Sequence, residues 1–452
     1  MIEVKRKRGI IPSALAVLLS PLLVLQCDAR AVAISAGQYH SLILLVDGTA
    51  VGLGDNTAGQ LGVGTTTNRS TPVVLMRNVT AVAAGSFHSL FLKTDGSAWA
   101  AGRNASGQLG DGSTIDRLQP VLVMTNVAAI SAGGNHSLFL TIDGTAWLAG
   151  REYEGFPIDE TPIKRLTPMP VSTDVSAIAA GAFHSLFLKK DGTVHATGQN
   201  DFGQLGRGSR IRSETPANVR DSSGNSLAGV AAIAAGGAFS LFLKHDGTMW
   251  GCGANSLQQL GQFTLSSSLL YASSSGVSGV VNISAGFLHS LAIRSDGRVT
   301  ASGNNHDGEL GIGDRNITAV RNRQVSISGS VVAVAGGNSH SLFLKQDGSV
   351  WGCGYNYSGP LGDWATVYWE TPTLVYLPIE MSVNLLNQSS AITLSLDNTA
   401  IGVSYELQSS TDLMNWSVLG GPVISASSNV VLQSSLDAGT TNRMFFRARE
   451  LP

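Results

Sequence analysis

Charge is scarce in this chain. Only 13% of its 452 residues are charged and the formal net charge is −2. No basic run follows the first ten residues, so the electrostatic footprint of a nucleic-acid-binding protein is missing. Cysteine is scarcer still, three residues in all, which excludes a disulfide framework and leaves stability to a buried core. Outside the N-terminus no apolar run approaches the ~18 residues of a membrane-spanning helix. Neither His-x-x-x-His nor Cys-x-x-Cys occurs, so the common metal-ligand spacings are lacking, and neither a metal nor a cofactor is expected.

What the chain has is glycine, 53 residues of it, and repetition. The stretch from Ala81 reads Ala-Val-Ala-Ala-Gly-Ser-Phe-His-Ser-Leu-Phe-Leu-Lys-Thr-Asp-Gly-Ser-Ala-Trp-Ala-Ala-Gly-Arg-Asn-Ala-Ser-Gly-Gln-Leu-Gly. Its His-Ser-Leu step falls at His40, His88, His136 and His184, then at His289 and His340; a further copy has Phe239 where His belongs. Seven copies with a period near 50 residues predict stacked supersecondary units that bury their faces against one another. Every copy carries Asp-Gly, at Asp47, Asp95, Asp143, Asp191, Asp246, Asp296 and Asp347, the signal of a tight hairpin. Trp99, Trp147, Trp250 and Trp351 centre the strand that follows, and Thr-Pro pairs at Thr71, Thr167, Thr215 and Thr371 open a fourth.

Four strands per copy, seven copies and no helix of any length predict an all-β, seven-bladed β-propeller over residues 32–378. The pattern Gly-x-x-His-Ser-Leu, Asp-Gly, Trp-x-x-Gly, Asn-x-x-Gly-Gln-Leu-Gly resembles the repeat of the regulator of chromosome condensation (RCC1) family. That resemblance implies seven blades; it says less about function. In the family's nuclear members it implies nucleotide exchange on a small GTPase and chromatin binding, which an export signal and the missing basic patches disfavour. Bacterial relatives with such blades include secreted β-lactamase inhibitors. We expect the first strand after residue 31 and the last, around 371–377, to share one blade and so close the ring.

Residues 1–31 read as a secretory signal peptide: Lys5-Arg6-Lys7-Arg8, an apolar stretch from Ile10 to Leu25, then Ala29-Arg30-Ala31 with small residues where a signal peptidase acts. The alternatives are an uncleaved anchor or lipidation at Cys27. Cys252 and Cys353 occupy the same Trp-Gly-Cys-Gly slot two blades apart, too far for the roughly 7 Å between Cα atoms that a disulfide tolerates, and should be free buried thiols. Residues 379–452 leave the repeat. Tyr405, Leu407, Trp416 and Phe446 mark strand-like segments that resemble a small fibronectin type III-like β-sandwich of exported bacterial proteins, with Trp416 either a core residue or a sugar-stacking one.

Six histidines in register invite a catalytic or metal reading, but equivalent positions on seven blades form a ring too wide for shared ligation. A serine next to a histidine on one strand points to the opposite face and cannot be its nucleophile. The Asp-Gly carboxylates repeat because the turn repeats. Function is therefore sought where the copies differ. Copy three replaces its loop with residues 151–160, including Tyr153 and Phe156; copy four adds arginines over 207–220; copy seven is aromatic at Tyr355, Tyr357, Trp364, Tyr368 and Trp369. Tyr153, Phe156 and these five aromatics are the candidate partner-binding residues, since aromatics concentrate interface energy; Trp364 and Trp369 have packing against the neighbouring blade as the alternative role.

The expected function is a non-enzymatic protein-binding module, monomeric and secreted, periplasmic or on the cell surface, with an unidentified protein partner and no nucleic acid. An inhibitor of a secreted enzyme such as a β-lactamase is the alternative. A carbohydrate-binding or hydrolytic propeller is a third, and it would require paired carboxylates at the axis.

Overall fold

The structure is a computed structural model, and it describes residues 30–152, 164–261, 266–315, 317–362, 367–375 and 377, together with the backbone of seven strands between 380 and 450. The signal peptide with Cys27, the copy-three loop bearing Tyr153 and Phe156, Trp364 and Trp416 lie outside the described residues.

Seven four-stranded antiparallel sheets follow one another, spanning 31–76, 79–124, 127–172, 175–218, 230–274, 280–324 and 331–375. In the first, β1 (Ala31–Ala36), β2 (His40–Leu45), β3 (Ala50–Gly54) and β4 (Arg69–Met76) pair in chain order. All-β seven-bladed architecture is thus as the repeat predicts. First strands of successive blades adjoin one another around the axis, as β1 does with the strands Val79–Ala84 and Val331–Gly336.

The second strand of each blade, His-Ser-Leu-Phe-Leu-Lys in the consensus, is buried on both faces. It lacks the polar–apolar alternation of a half-exposed strand for that reason. Leu90 packs toward the third blade with Phe139 and Val127, whereas Phe91 packs toward the first with Leu44 and Ala50. The core is therefore a set of slabs between blades. A fully buried Phe such as Phe91 contributes on the order of 3 kcal/mol to it. Cys252 and Cys353 are free and fully buried in these slabs, as their spacing requires.

Ring closure differs from the expectation. Each blade is one uninterrupted stretch of sequence, and β1 does not pair with the last strand, Tyr368–Val375, which completes the seventh blade alone. The physical reason is the phase of the repeat: every copy opens with its innermost strand and finishes with its outermost, so a whole copy is a whole sheet. Closure is lateral. Ala31 N–H donates to Gly348 O (3.0 Å), Asn338 N–H to Gly37 O (3.1 Å) and Ser41 Oγ–H to Pro360 O (2.7 Å). Since Ala31 already belongs to β1, cleavage after it would remove that first bond.

Residues 30–375 form one compact unit, and the strands beyond it belong to another. There, Glu380–Leu385, Ala391–Asp397 and Asn429–Ser435 make one antiparallel sheet, and Ser404–Ser410 pairs with Ser417–Val418, Val423–Ile424 and Phe445–Glu450 in a second.

Candidate functional site

The repeated histidines and serines meet across blade boundaries. His40 Nε2 lies 2.9 Å from Ser89 Oγ, His88 from Ser137 at 2.8 Å, His136 from Ser185 at 3.0 Å, and His340 from Ser41 at 3.1 Å. Ser137 Oγ–H is committed to Gln108 O at 2.6 Å, so His88 must donate from Nε2, leaving Nδ1 unprotonated. All six Nδ1 atoms are buried without a partner. Burial lowers every one of these histidines, to about 3 for His40, His136 and His340 and about 4 for His88, His184 and His289. Histidine–serine pairs thus exist, between neighbouring blades rather than along one strand. Because both partners are sealed from solvent, no substrate reaches them, and they act as fasteners. In the fifth blade Phe239 fills the slot, and Ser290 keeps only its bond to Gln259 O (2.7 Å).

Two buried carboxylates stand where other blades have amides. Glu152 occupies the slot of Asn104 and Asn200, and burial lifts its pKa to about 7 against the opposing pull of Ser185 and Arg165. Glu309 takes the slot of Gln60, and burial lifts it to about 6. Glu309 accepts from Asp307 N–H at 2.9 Å as Gln60 accepts from Ala58 N–H at 3.0 Å, so it preserves the loop rather than adding chemistry. Arg207 is likewise spent on the scaffold, donating to Ala196 O and to Thr215 O (3.3 Å) across its own blade.

Accessible chemistry gathers on one face. With strands antiparallel, the Gly-x-x-His turns and the long loops between third and fourth strands emerge at the same end of every blade. There Tyr355 stands 5.3 Å from Tyr39, 6.4 Å from Tyr357 and 6.1 Å from Tyr368, centroid to centroid. Arg315 lies 4.7 Å over the Tyr368 ring and 3.2 Å from Glu370. Tyr357 is 72% exposed, while Tyr39, Tyr355 and Tyr368 are half-buried. Trp369 is instead buried at 8% exposure, so of its two expected roles the structure favours packing. Tyr39 and Arg315 were not expected at the site. Tyr39 precedes His40 in a turn whose two middle residues vary from blade to blade within an invariant frame, and that variability was its signal.

Asn338 Nδ2 donates to the Tyr39 hydroxyl at 3.3 Å and also lines a cavity on the axis. This funnel, about 570 Å³, is bounded by the Gly-x-x-His turns of all seven blades. Phe87, Phe183 and Phe287 contribute rings; Arg103 and Ser106 reach in from the second blade's loop. Among the described residues its lining includes no carboxylate. Among the described residues no cluster of three or more His, Cys, Asp or Glu side chains could hold a metal.

Comparison with known proteins matches the RCC1-like domain model to residues 6–273 and the regulator of chromosome condensation repeat to residues 280–309 and 331–359. The chain belongs to the RCC1-like domain family. Among curated proteins, the human probable E3 ubiquitin-protein ligase HERC6 is 33% identical over 183 residues, which are 39% of this chain and 13% of that relative. Among solved structures, the RCC1-like propeller is similar to Prp20p of Saccharomyces cerevisiae, at 24% identity and TM-score 0.64, covering 75% of this chain and 87% of that one. It is also similar to human WBSCR16, at 23% identity and TM-score 0.64 over 73% and 94% of the two chains. At these identities the structural likeness establishes the RCC1-like fold. The chain spans only a small part of the curated relative's length.

Proposed function

We propose that this RCC1-like propeller is an exported, non-enzymatic protein-binding module that recognises its partner with the loop face at the junction of the seventh and first blades. The observation that carries the reading is the four-tyrosine cluster rimmed by Arg315 and Glu370. Tyrosine and arginine are enriched at interface hot spots, and tyrosine buries a large amphipathic area at low entropic cost. The rings brace one another, so little side-chain entropy remains to be lost on binding.

Protein binding is also the subject of solved relatives. One concerns Prp20p and its binding to Gsp1p and histones, and another shows Kap60 bound to yeast RCC1. Export rests on residues 1–31 alone. The C-terminal strands, in two small antiparallel sheets, support a fibronectin type III-like module as the companion domain.

A pull-down with the full chain against secreted and envelope proteins tests the reading. The expected result is one specific partner, weakened at least tenfold by Tyr357→Ala with thermal stability unchanged. Binding to a glycan array with no protein recovered would overturn it. Sequencing the N-terminus of protein recovered from an exporting host locates the cleavage; an intact Met1 would remove the argument for a cleaved signal.

A further inference from the structure

The axial funnel has features that the tyrosine cluster does not explain. Turns from all seven blades wall it, so a polypeptide can approach only along the axis. A chain that enters along the axis by its end needs room for one strand, whereas a segment that ran in and out again would need room for two. The main chain of the cup is largely occupied, because the turns bond to each other around the ring: Gln38 N–H to Gly85 O, Ser86 to Gly133, Ala182 to Gly236, Phe287 to Gly337, and Asn338 back to Gly37. Side chains must therefore supply recognition.

Those side chains are of two kinds. Phe87, Phe183 and Phe287 present rings, and Phe287 is 42% exposed. Arg103 is the one charged residue among the described residues of the lining, exposed and 5.6 Å over the Phe87 ring. Asn135 and Asn338 add neutral donors and acceptors. An N-terminal ammonium would meet a guanidinium here and, among the described residues of the lining, no carboxylate. A C-terminal carboxylate would find in Arg103 a planar donor of matching geometry, set beside the Phe87 ring. The volume is within the roughly 300–1,000 Å³ of ligand pockets and accommodates the last few residues of a chain.

We infer that the axial funnel is a binding site for the carboxyl terminus of a polypeptide ending in an apolar or aromatic residue, with Arg103 holding the terminal carboxylate and the phenylalanines the last side chain. The inference rests on the loop face being a polypeptide-binding surface, yet it concerns a site apart from the tyrosines.

Fluorescence polarisation with the full chain decides it. The probes are fluorescein-labelled Gly-Gly-Gly-Phe with a free carboxylate, the same peptide as its C-terminal amide, Phe-Gly-Gly-Gly amide labelled at its last residue through an added lysine, and unlabelled N-acetyl-phenylalanine as competitor. The free acid is expected to bind at least tenfold more tightly than the amide. Arg103→Gln should bring the acid to the level of the amide, and Phe287→Ala should weaken it further; both positions are exposed, so folding is preserved. Tyr357→Ala should leave peptide binding intact while weakening capture of the protein partner at least tenfold, which separates failure of this site from failure of the tyrosine surface. Equal affinity for acid and amide, indifference to Arg103→Gln, preference for the free-amine probe, or no binding at all would overturn the inference. Equal competition by N-acetyl-phenylalanine would overturn the chain-end assignment in favour of a small organic acid.

Discussion

At the scale of single residues, the histidine–serine fastener decides how the protein responds to acid. Each of the six histidines is held neutral in the folded chain, at about 3 to 4 against 6.5 when unfolded. A depressed folded pKa means that the unfolded chain binds more protons, so stability is present above pH 6.5 and is lost as pH falls from there toward 4. Glu152 and Glu309 act in the opposite sense, because their raised values favour the protonated folded state between about pH 4.5 and 7. Six histidines outweigh two carboxylates, so the net effect is a loss of stability as pH falls from 6.5 toward 5. Urea titrations from pH 7 to 5 should show the midpoint collapsing; a flat profile would mean that the histidines are not buried as neutral rings. Ser341→Ala would strand the His289 Nε2–H donor, whose bond to Ser341 is 2.9 Å, and should cost about 1–3 kcal/mol at pH 7. His289→Phe, which copies the natural state of the fifth blade, should cost less and remove one proton from the acid transition, as paired denaturation curves at pH 7 and 5 would show.

At the scale of the strand and turn, glycine sets how closely blades approach. A Cβ on Gly85 would lie 2.4 Å from His88 Cε1 and 2.6 Å from the carbonyl oxygen of Gly133 in the next blade. Gly85→Ala should therefore cost about 3 kcal/mol, as overpacking against rigid backbone does, with a lowered denaturation midpoint as the readout. Gly224→Ala, with open space around it, should cost only the strain of φ +83°, about 1–2 kcal/mol. These elements were largely legible in the chain itself: the period, the Asp-Gly hairpins and the doubly buried second strand all follow from local pattern. The fasteners were not, because the serine that meets His88 is 49 residues away and the serine beside it in sequence points elsewhere. Tyr39 escaped for a related reason, since its neighbours Tyr355 and Asn338 lie more than 290 residues later and meet it only when the ring closes.

At the scale of the whole molecule, the error over closure is instructive. A shared blade would have locked the ring with a full strand ladder, whereas the observed seam between the seventh and first blades has the same kind of contacts as any other. His340–Ser41 is one more fastener, and Asn338–Gly37 one more link in the axial chain of main-chain bonds. A circular permutant of residues 30–375, rejoined by a short linker and reopened between Met124 and Val127, should fold with a melting temperature within a few degrees of the parent segment. Reopening inside a blade, between Lys93 and Ala98, should lower it far more. Calorimetry on the two permutants distinguishes a ring of equivalent seams from one with a privileged join.

Blades that are whole in sequence also bear on descent. A duplication or loss of one 48-residue tract in the gene adds or removes a complete sheet with both of its fasteners, and never half of one. The copies can then differ separately, as the fifth does in having Phe239, while the shared frame keeps the contacts between neighbours. Variation in such a lineage should therefore collect in the turns and loops of one face, where a new recognition surface can arise without renegotiating the scaffold.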